Sequence, residues 1–323
     1  MEPTTATFFD LVRPQLQAVE SRMRQSADPH HPALETAIEH LLAAGGKRIR
    51  PTVALLAGSL LQAPDDRLVT LAAAIEMLHT ATLVHDDLID GALFRRGTPT
   101  LNAQWTAGAT VLTGDYVFAR AAQMAAQTGS LAVMESFART LMAIVNGEIS
   151  QLFREQVPQT LTAYQERIYA KTASLFELAA EGAALLAPGS AQAHEPMRRF
   201  GYNIGVAFQI VDDVLDFIGQ PTQIGKPVGS DLRHGIVTLP VFKYLEQHAD
   251  DPLARLAIAG QTLPADQVDQ LVATIRSSSA IDESLDEARR MVDQASDLLE
   301  PLPDRPERAA LIDLGRYVVQ RTL

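Results

Sequence analysis

The chain has 323 residues, with 27 Lys plus Arg against 39 Asp plus Glu, a formal net charge of −12, and no cysteine. Those numbers exclude a disulfide framework, thiolate metal sites and a thiol nucleophile. They also leave no basic excess to neutralise phosphates, so no nucleic-acid partner is expected. With 47% apolar and 20% charged residues the composition is that of a globular chain. No uninterrupted apolar run reaches the roughly 18 residues of a membrane span, and the start MEPTTATFFD has neither a basic n-region nor an apolar core. A cytoplasmic protein without stable membrane insertion is the expectation.

Helical spacing dominates from the start. Leu34, Ile38, Leu41 and Leu42 follow Pro32 at i, i+4, i+7 and i+8, and Gly45-Gly46 ends the pattern. Alanine-rich stretches at 71–74 and 119–126 favour helices that can approach closely. Breakers fall at Pro99, at Pro188-Gly189-Ser190 and between Pro301 and Pro306. Leu285, Ala288, Val292, Ala295 and Leu299 mark one apolar face of a late helix. Alternating β-branched runs are scarce, so the fold class is all-α. No composition shift marks a boundary, and one domain over residues 1–323 is expected. The longest irregular stretch, residues 219–240, is rich in glycine and proline, and a loop of that length in a helical domain reads as a flexible active-site loop.

One pattern occurs twice. Asp86-Asp87-Leu88-Ile89-Asp90 and Asp212-Asp213-Val214-Leu215-Asp216 are both DDxxD, set 126 positions apart. On a helix, i and i+4 share a face, so Asp86 lies beside Asp90 and Asp212 beside Asp216. Like charges so close destabilise an isolated helix, and the flanking Leu83, Val84, Ile210 and Val211 set both clusters against apolar packing. Carboxylates in that setting call for a cation, and Mg²⁺ is the natural one. An EF-hand is excluded, since neither cluster has the loop, the central Gly or the closing Glu.

Cations accompany both clusters. Lys47, Arg48 and Arg50 stand in GGKRIRP at a loop-to-helix junction, where outward backbone N–H groups also favour an anion. His79 lies seven residues before Asp86, two turns along the same face. Arg95 and Arg96 follow the first cluster and can either form salt bridges or grip phosphates. Lys171-Thr172 sits in an apolar, small-residue stretch, Gln209 is one turn before Asp212 on the same face, and Lys226 and Asp231 lie in GKPVGSD. Paired carboxylates and separated cations in an acidic chain point to a small polyanion held through Mg²⁺, and diphosphate fits. No dinucleotide or P-loop glycine fingerprint occurs.

Taken together, GGKRIRP, HDDLID followed by RRG, the KTA at 171–173, FQIVDDVLD and GKPVGSD resemble, in order, the trans-polyprenyl (isoprenyl) diphosphate synthases of medium and long chain. The resemblance runs from GGKRIRP to about residue 241. It implies a single helical bundle around a deep central cavity (the isoprenoid synthase fold) and a homodimer. It also implies up to three Mg²⁺ ions between the two aspartate motifs and an allylic diphosphate. Asp86, Asp87, Asp90, Asp212, Asp213 and Asp216 would supply the metal sites, Asp87 and Asp213 indirectly. Lys47, Arg50, His79 and Arg96 would bind isopentenyl diphosphate, and Arg95, Lys171 and Lys226 the allylic diphosphate. Thr172 and Gln209 would lie near the carbon that becomes cationic. Two positions depart from the family pattern: Ile236 stands where many members carry Lys, and Leu93 replaces a common acid.

The implied chemistry is ionisation of the allylic C–O bond, attack by the isopentenyl double bond, and proton loss to the departed diphosphate. Water must be kept from the cation. Product length is a packing question. Thr82 and Ala81, four and five residues before Asp86, include no aromatic plug, and Leu78 is a candidate deeper floor. A product beyond C20 is expected, with geranylgeranyl diphosphate as the alternative. A terpene cyclase or a non-catalytic partner subunit is disfavoured, because both aspartate motifs are complete and the GGKRIRP pocket is present.

Overall fold

Pro32 and the glycines at 45 and 46 do bound a helix, and nearly every later periodic stretch becomes one. A computed structural model of the chain describes residues 7–25, 31–43, 45–95, 97–153, 159–189, 191–219 and 228–320. In order these form α1 (Thr7–Leu11), α2 (Arg13–Arg24), α3 (Pro32–Ala43), α4 (Ile49–Leu60) and α5 (Asp65–Ile89). A hairpin of β1 (Phe94–Arg95) and β2 (Thr98–Pro99) follows, then α6 (Leu101–Gln104), α7 (Ala107–Gln127) and α8 (Leu131–Leu152). Next come α9 (Leu161–Ile168), a π-helical turn over Tyr169–Ala173, α10 (Ser174–Leu186) and α11 (Ala191–Ile218). The chain continues through α12 (Ser230–Arg233), α13 (Leu239–Gln247), α14 (Pro252–Ile258), α15 (Ala265–Arg276), α16 (Ala280–Leu299) and α17 (Pro306–Gln320). Among the described residues the chain is all-α apart from the two-residue strands, which alternation alone could not reveal at that length.

Two compact units emerge: residues 1–139, 178–198 and 301–311 in the first, and 140–177, 199–300 and 312–323 in the second. In the first, α5 is the central helix, packed by α2, α4 and α7. Its middle is enclosed on all sides and mostly apolar, as a helix surrounded by others must be, and Leu68 to Leu78 are buried without interruption. By length and composition α5 could cross a membrane, but 72% of its apolar window is buried inside the fold.

In the second unit, α11 carries a ladder of positions spaced by four: Gly201, Gly205, Gln209 and Asp213 share one face. The glycines let the segment from the π turn into α10 lie against α11 at backbone distance. A Cβ on Gly201 would sit 2.3 Å from the Phe176 carbonyl oxygen and 2.8 Å from Glu177 Cα, and one on Gly205 only 2.5 Å from Ala173 Cα. Backbone cannot swing aside as a side chain can. Gly201→Ala is therefore expected to cost at least about 1–3 kcal/mol, measured as a lowered denaturant midpoint with unchanged m-value.

The stretch at 219–240, expected as one irregular loop, is different where it is described; residues 220–227 lie outside the described residues. Gly229 adopts φ +70° and opens α12, donating its N–H to the Asp216 carbonyl at 2.8 Å. Gln159 clamps the following backbone, donating to Gly235 O at 2.6 Å and accepting from Val237 N–H at 3.1 Å.

Candidate active site

Both aspartate triplets occupy the C-terminal ends of long helices. Asp86 and Asp87 lie in the last turn of α5, and Asp90 is its C-cap; Asp212, Asp213 and Asp216 lie in the last two turns of α11. Neither last turn contains a basic residue. The C-terminal end of a helix already bears partial negative charge, so a carboxylate in the last turn is disfavoured by about 0.3–1 kcal/mol. Two such ends crowded with acids are unfavourable for the fold by itself and favourable for bound cations.

Within the first triplet the residues differ. Asp86 is half-buried and Asp90 exposed, whereas Asp87 is buried and accepts from Arg95 Nε at 2.8 Å. Burial raises the Asp87 carboxyl above its ordinary range, and Arg95 partly restores it. The hairpin supplies that arginine: Arg95 pairs with Thr98 across the turn containing Gly97 at φ +77°. Leu93 is exposed beside it, and Arg96 lies outside the described residues.

The second triplet is built more tightly. Asp213 is buried, accepting from Tyr164 O–H at 2.7 Å on one oxygen and from Gln209 Nε2 at 2.8 Å on the other. Burial and the nearby Asp231 push its carboxyl up to about 7, against the two hydrogen bonds and Arg167, which pull it down. Gln209 in turn accepts from Thr172 O–H at 2.6 Å. Every proton in this chain points towards Asp213, so the remaining capacity of the Thr172 oxygen is its lone pairs. Asp216 accepts the Asp231 backbone N–H at 3.0 Å, tying the aspartate motif to GKPVGSD. Lys171 is exposed on the π-helical turn, 3.8 Å from Glu148. Such turns shift the helical register by one residue and are frequent at functional sites. Here one sets Lys171 outward and Thr172 inward. Ile236 brings no cation to this unit, its N–H donating to the Asp231 carbonyl. Lys226 lies outside the described residues.

Tyr164 had no signal in the sequence, being one aromatic in an amphipathic helix. Its burial pushes the phenol well above its usual pKa, so it stays a donor. Tyr164→Phe leaves Asp213 one side-chain donor short in a buried place, and a loss of about 1–3 kcal/mol is expected by urea unfolding.

The basic segment is set at the opposite kind of helix end. Lys47 precedes α4 and Arg50 lies in its first turn, where helix polarity favours an anion. His79 is half-buried on α5, and Thr82 donates to its carbonyl. Ala81 and Leu78 are wholly buried.

Asp86 with Asp90 and Asp212 with Asp216 offer hard oxygen donors as two i, i+4 pairs. Among the described residues no three carboxylate or imidazole groups form a closed cage. Mg²⁺ fits that arrangement, since it keeps several waters and is commonly bound by one or two carboxylates plus substrate phosphates.

Helix ends that favour a cation and a helix start that favours an anion suit a phosphate-bearing ligand bound with a divalent ion. Residues 31–275 match the polyprenyl synthetase family, and the chain belongs to it, as a prenyltransferase of the polyprenyl diphosphate synthase type. It is 37% identical to heptaprenyl diphosphate synthase component 2 of Geobacillus stearothermophilus, over 97% of this chain and 98% of the relative. It is 40% identical to the all-trans-nonaprenyl-diphosphate synthase (geranyl-diphosphate specific) of Rhodobacter capsulatus, over 88% and 87% of the two chains. Its fold matches the crystal structure of polyprenyl synthase from Caulobacter crescentus CB15 complexed with calcium and isoprenyl diphosphate. The TM-score is 0.87 at 36% identity, covering 100% of this chain and 99% of that one. That complex supports divalent-metal binding in the family.

Proposed function

We propose that this enzyme condenses isopentenyl diphosphate head to tail with an allylic diphosphate primer to make a trans-polyprenyl diphosphate longer than C20. The carrying observation is the pair of complete aspartate triplets at helix C-termini that hold no basic residue. Asp86, Asp90, Asp212 and Asp216 would hold Mg²⁺, up to three ions by resemblance. Bound there, the metal supplies Lewis-acid stabilisation of charge on the leaving diphosphate. Asp87 and Asp213 keep their neighbours in place, through Arg95 and through Gln209 and Tyr164.

Lys171, Arg95 and Lys226 grip the allylic diphosphate; Lys47, Arg50, His79 and Arg96 hold isopentenyl diphosphate. The Thr172 oxygen faces the developing cation with lone pairs, its proton being committed to Gln209. The isopentenyl double bond attacks that carbon, and the departed diphosphate takes the proton, so no side-chain base is required. A product beyond C20 is supported by the small side chains of Ala81 and Thr82 and by the heptaprenyl and nonaprenyl relatives.

Residues 1–323 would act as one synthase domain, cytoplasmic and without stable membrane insertion, and as a homodimer. Supporting the dimer, Met142, Val145, Ile149 and Leu152 form an exposed apolar stripe on α8, continued by Phe153; such a patch marks an interaction surface. The name of the Geobacillus relative, a component 2, makes a hetero-partner the second reading. Light scattering of the purified chain, together with labelled isopentenyl diphosphate, an allylic primer and Mg²⁺, tests both. A dimer making linear polyprenols longer than C20 supports the proposal. C20 alone supports the geranylgeranyl alternative, cyclic hydrocarbons a cyclase, and no turnover a partner-dependent subunit.

A further inference from the structure

Three cations crowd the four positions from 47 to 50, yet they are placed differently. Lys47 is exposed and Arg50 half-buried, while the Arg48 side chain is turned into the fold with 14% of its surface exposed. Arg48 is the N-cap of α4 at φ 49° and ψ 36°, a left-handed conformation unfavourable for a residue with a Cβ. It therefore persists because surrounding contacts hold it. Those contacts are on the guanidinium. Nη1 donates to Glu76 Oε1 at 2.8 Å, while Nε lies 3.5 Å from Glu20 Oε1 on α2, and Nη2 3.5 Å from the Leu42 carbonyl of α3. Glu76 is itself 7% exposed, so the pair is largely out of solvent.

Glu76 stands three residues before His79 on α5, on the same helix face. One ion pair thus joins the helix start that carries Lys47 and Arg50 to the helix turn that carries His79. We infer that Arg48 and Glu76 are positioning residues of the isopentenyl diphosphate pocket: they set the spacing of Lys47, Arg50 and His79 without touching substrate. The inference rests on the assignment of those three residues to that pocket. A planar guanidinium with several donors can join three elements at once, which a lysine in its place cannot. Small displacements of groups that orient a substrate cost more in binding and turnover than in stability.

The test compares Glu76→Gln, Arg48→Lys and Lys47→Ala with the unaltered enzyme by steady-state kinetics and thermal melting. Glu76→Gln and Arg48→Lys are each expected to raise KM for isopentenyl diphosphate about tenfold or more, with KM for the allylic primer changed less than about threefold. A purely structural pair would lower the melting temperature, or shift both KM values together, and either result without the selective rise overturns the inference. Arg48→Lys keeps the charge and decides the matter should Glu76→Gln fail to fold. If Lys47→Ala raises the isopentenyl KM and the pair variants do not, the pocket stands and the positioning role falls. If Lys47→Ala leaves that KM unchanged, the pocket assignment falls and takes the positioning role with it.

Discussion

Asp86→Asn is expected to lower kcat for prenyl elongation by about 10³-fold or more while leaving the protein as stable as before, or slightly more so. The two effects have one cause. A carboxylate in the last turn of α5 opposes the helix polarity, so removing its charge relieves about 0.3–1 kcal/mol. The same charge is what a divalent ion and a leaving diphosphate need. Asp212→Asn in α11 should lower kcat alike, but it lies nearly two turns before the helix end, so no gain in stability is expected there. Kinetics with saturating Mg²⁺ and both substrates, alongside thermal melts, give the two readouts. Full activity in either variant would remove the basis for metal-held diphosphate chemistry here. Asp213→Asn belongs to a different class: Asp213 is buried between Tyr164 and Gln209, so this variant should lose stability as well as rate.

The second large effect concerns product length. Ala81→Phe places a ring one turn before the aspartate motif, and a shortened product is expected. One helical turn is about 5.4 Å, close to one extended isoprene unit, so the loss should be one unit or several. Ala81 is wholly buried, and a Phe there must also displace neighbours, at a cost of about 1–3 kcal/mol in stability. Chromatography of dephosphorylated products and a melting curve separate the outcomes. A less stable enzyme with an unchanged product distribution would mean that the growing chain does not pass this position. Thr82→Phe, at a half-buried position, would then distinguish the neighbouring path.

The candidate residues were legible because they are chemically unusual for their surroundings. Acidic triplets on apolar helices, three cations beside paired glycines, and a lysine among alanines and threonines all stand out against a core pattern. Tyr164, Gln159 and Glu76 did not stand out: Tyr164 and Glu76 are ordinary members of helices, Gln159 is a polar residue just before one, and the role of each exists only through a partner distant in sequence. Tyr164 meets Asp213 across 49 positions, and Gln159 meets Val237 across 78. The short hairpin at Phe94 to Pro99 was equally invisible, since two-residue strands are too short to alternate.

Sequence alone determined the all-α class, the bounds of the helix between Pro32 and Gly45 and the family to which the chain belongs, because periodicity, breakers and charge motifs are local properties. Tertiary structure decided which aspartates are exposed and which are buried and hydrogen-bonded, and that Arg48 turns inward. It also decided that Thr172 gives its proton to Gln209. The last of these depends on how closely two helical segments approach, which Gly201 and Gly205 permit but no spacing along the chain reveals. Burial then decides the rest, since a carboxylate or guanidinium removed from water must find its partner wherever the fold places one.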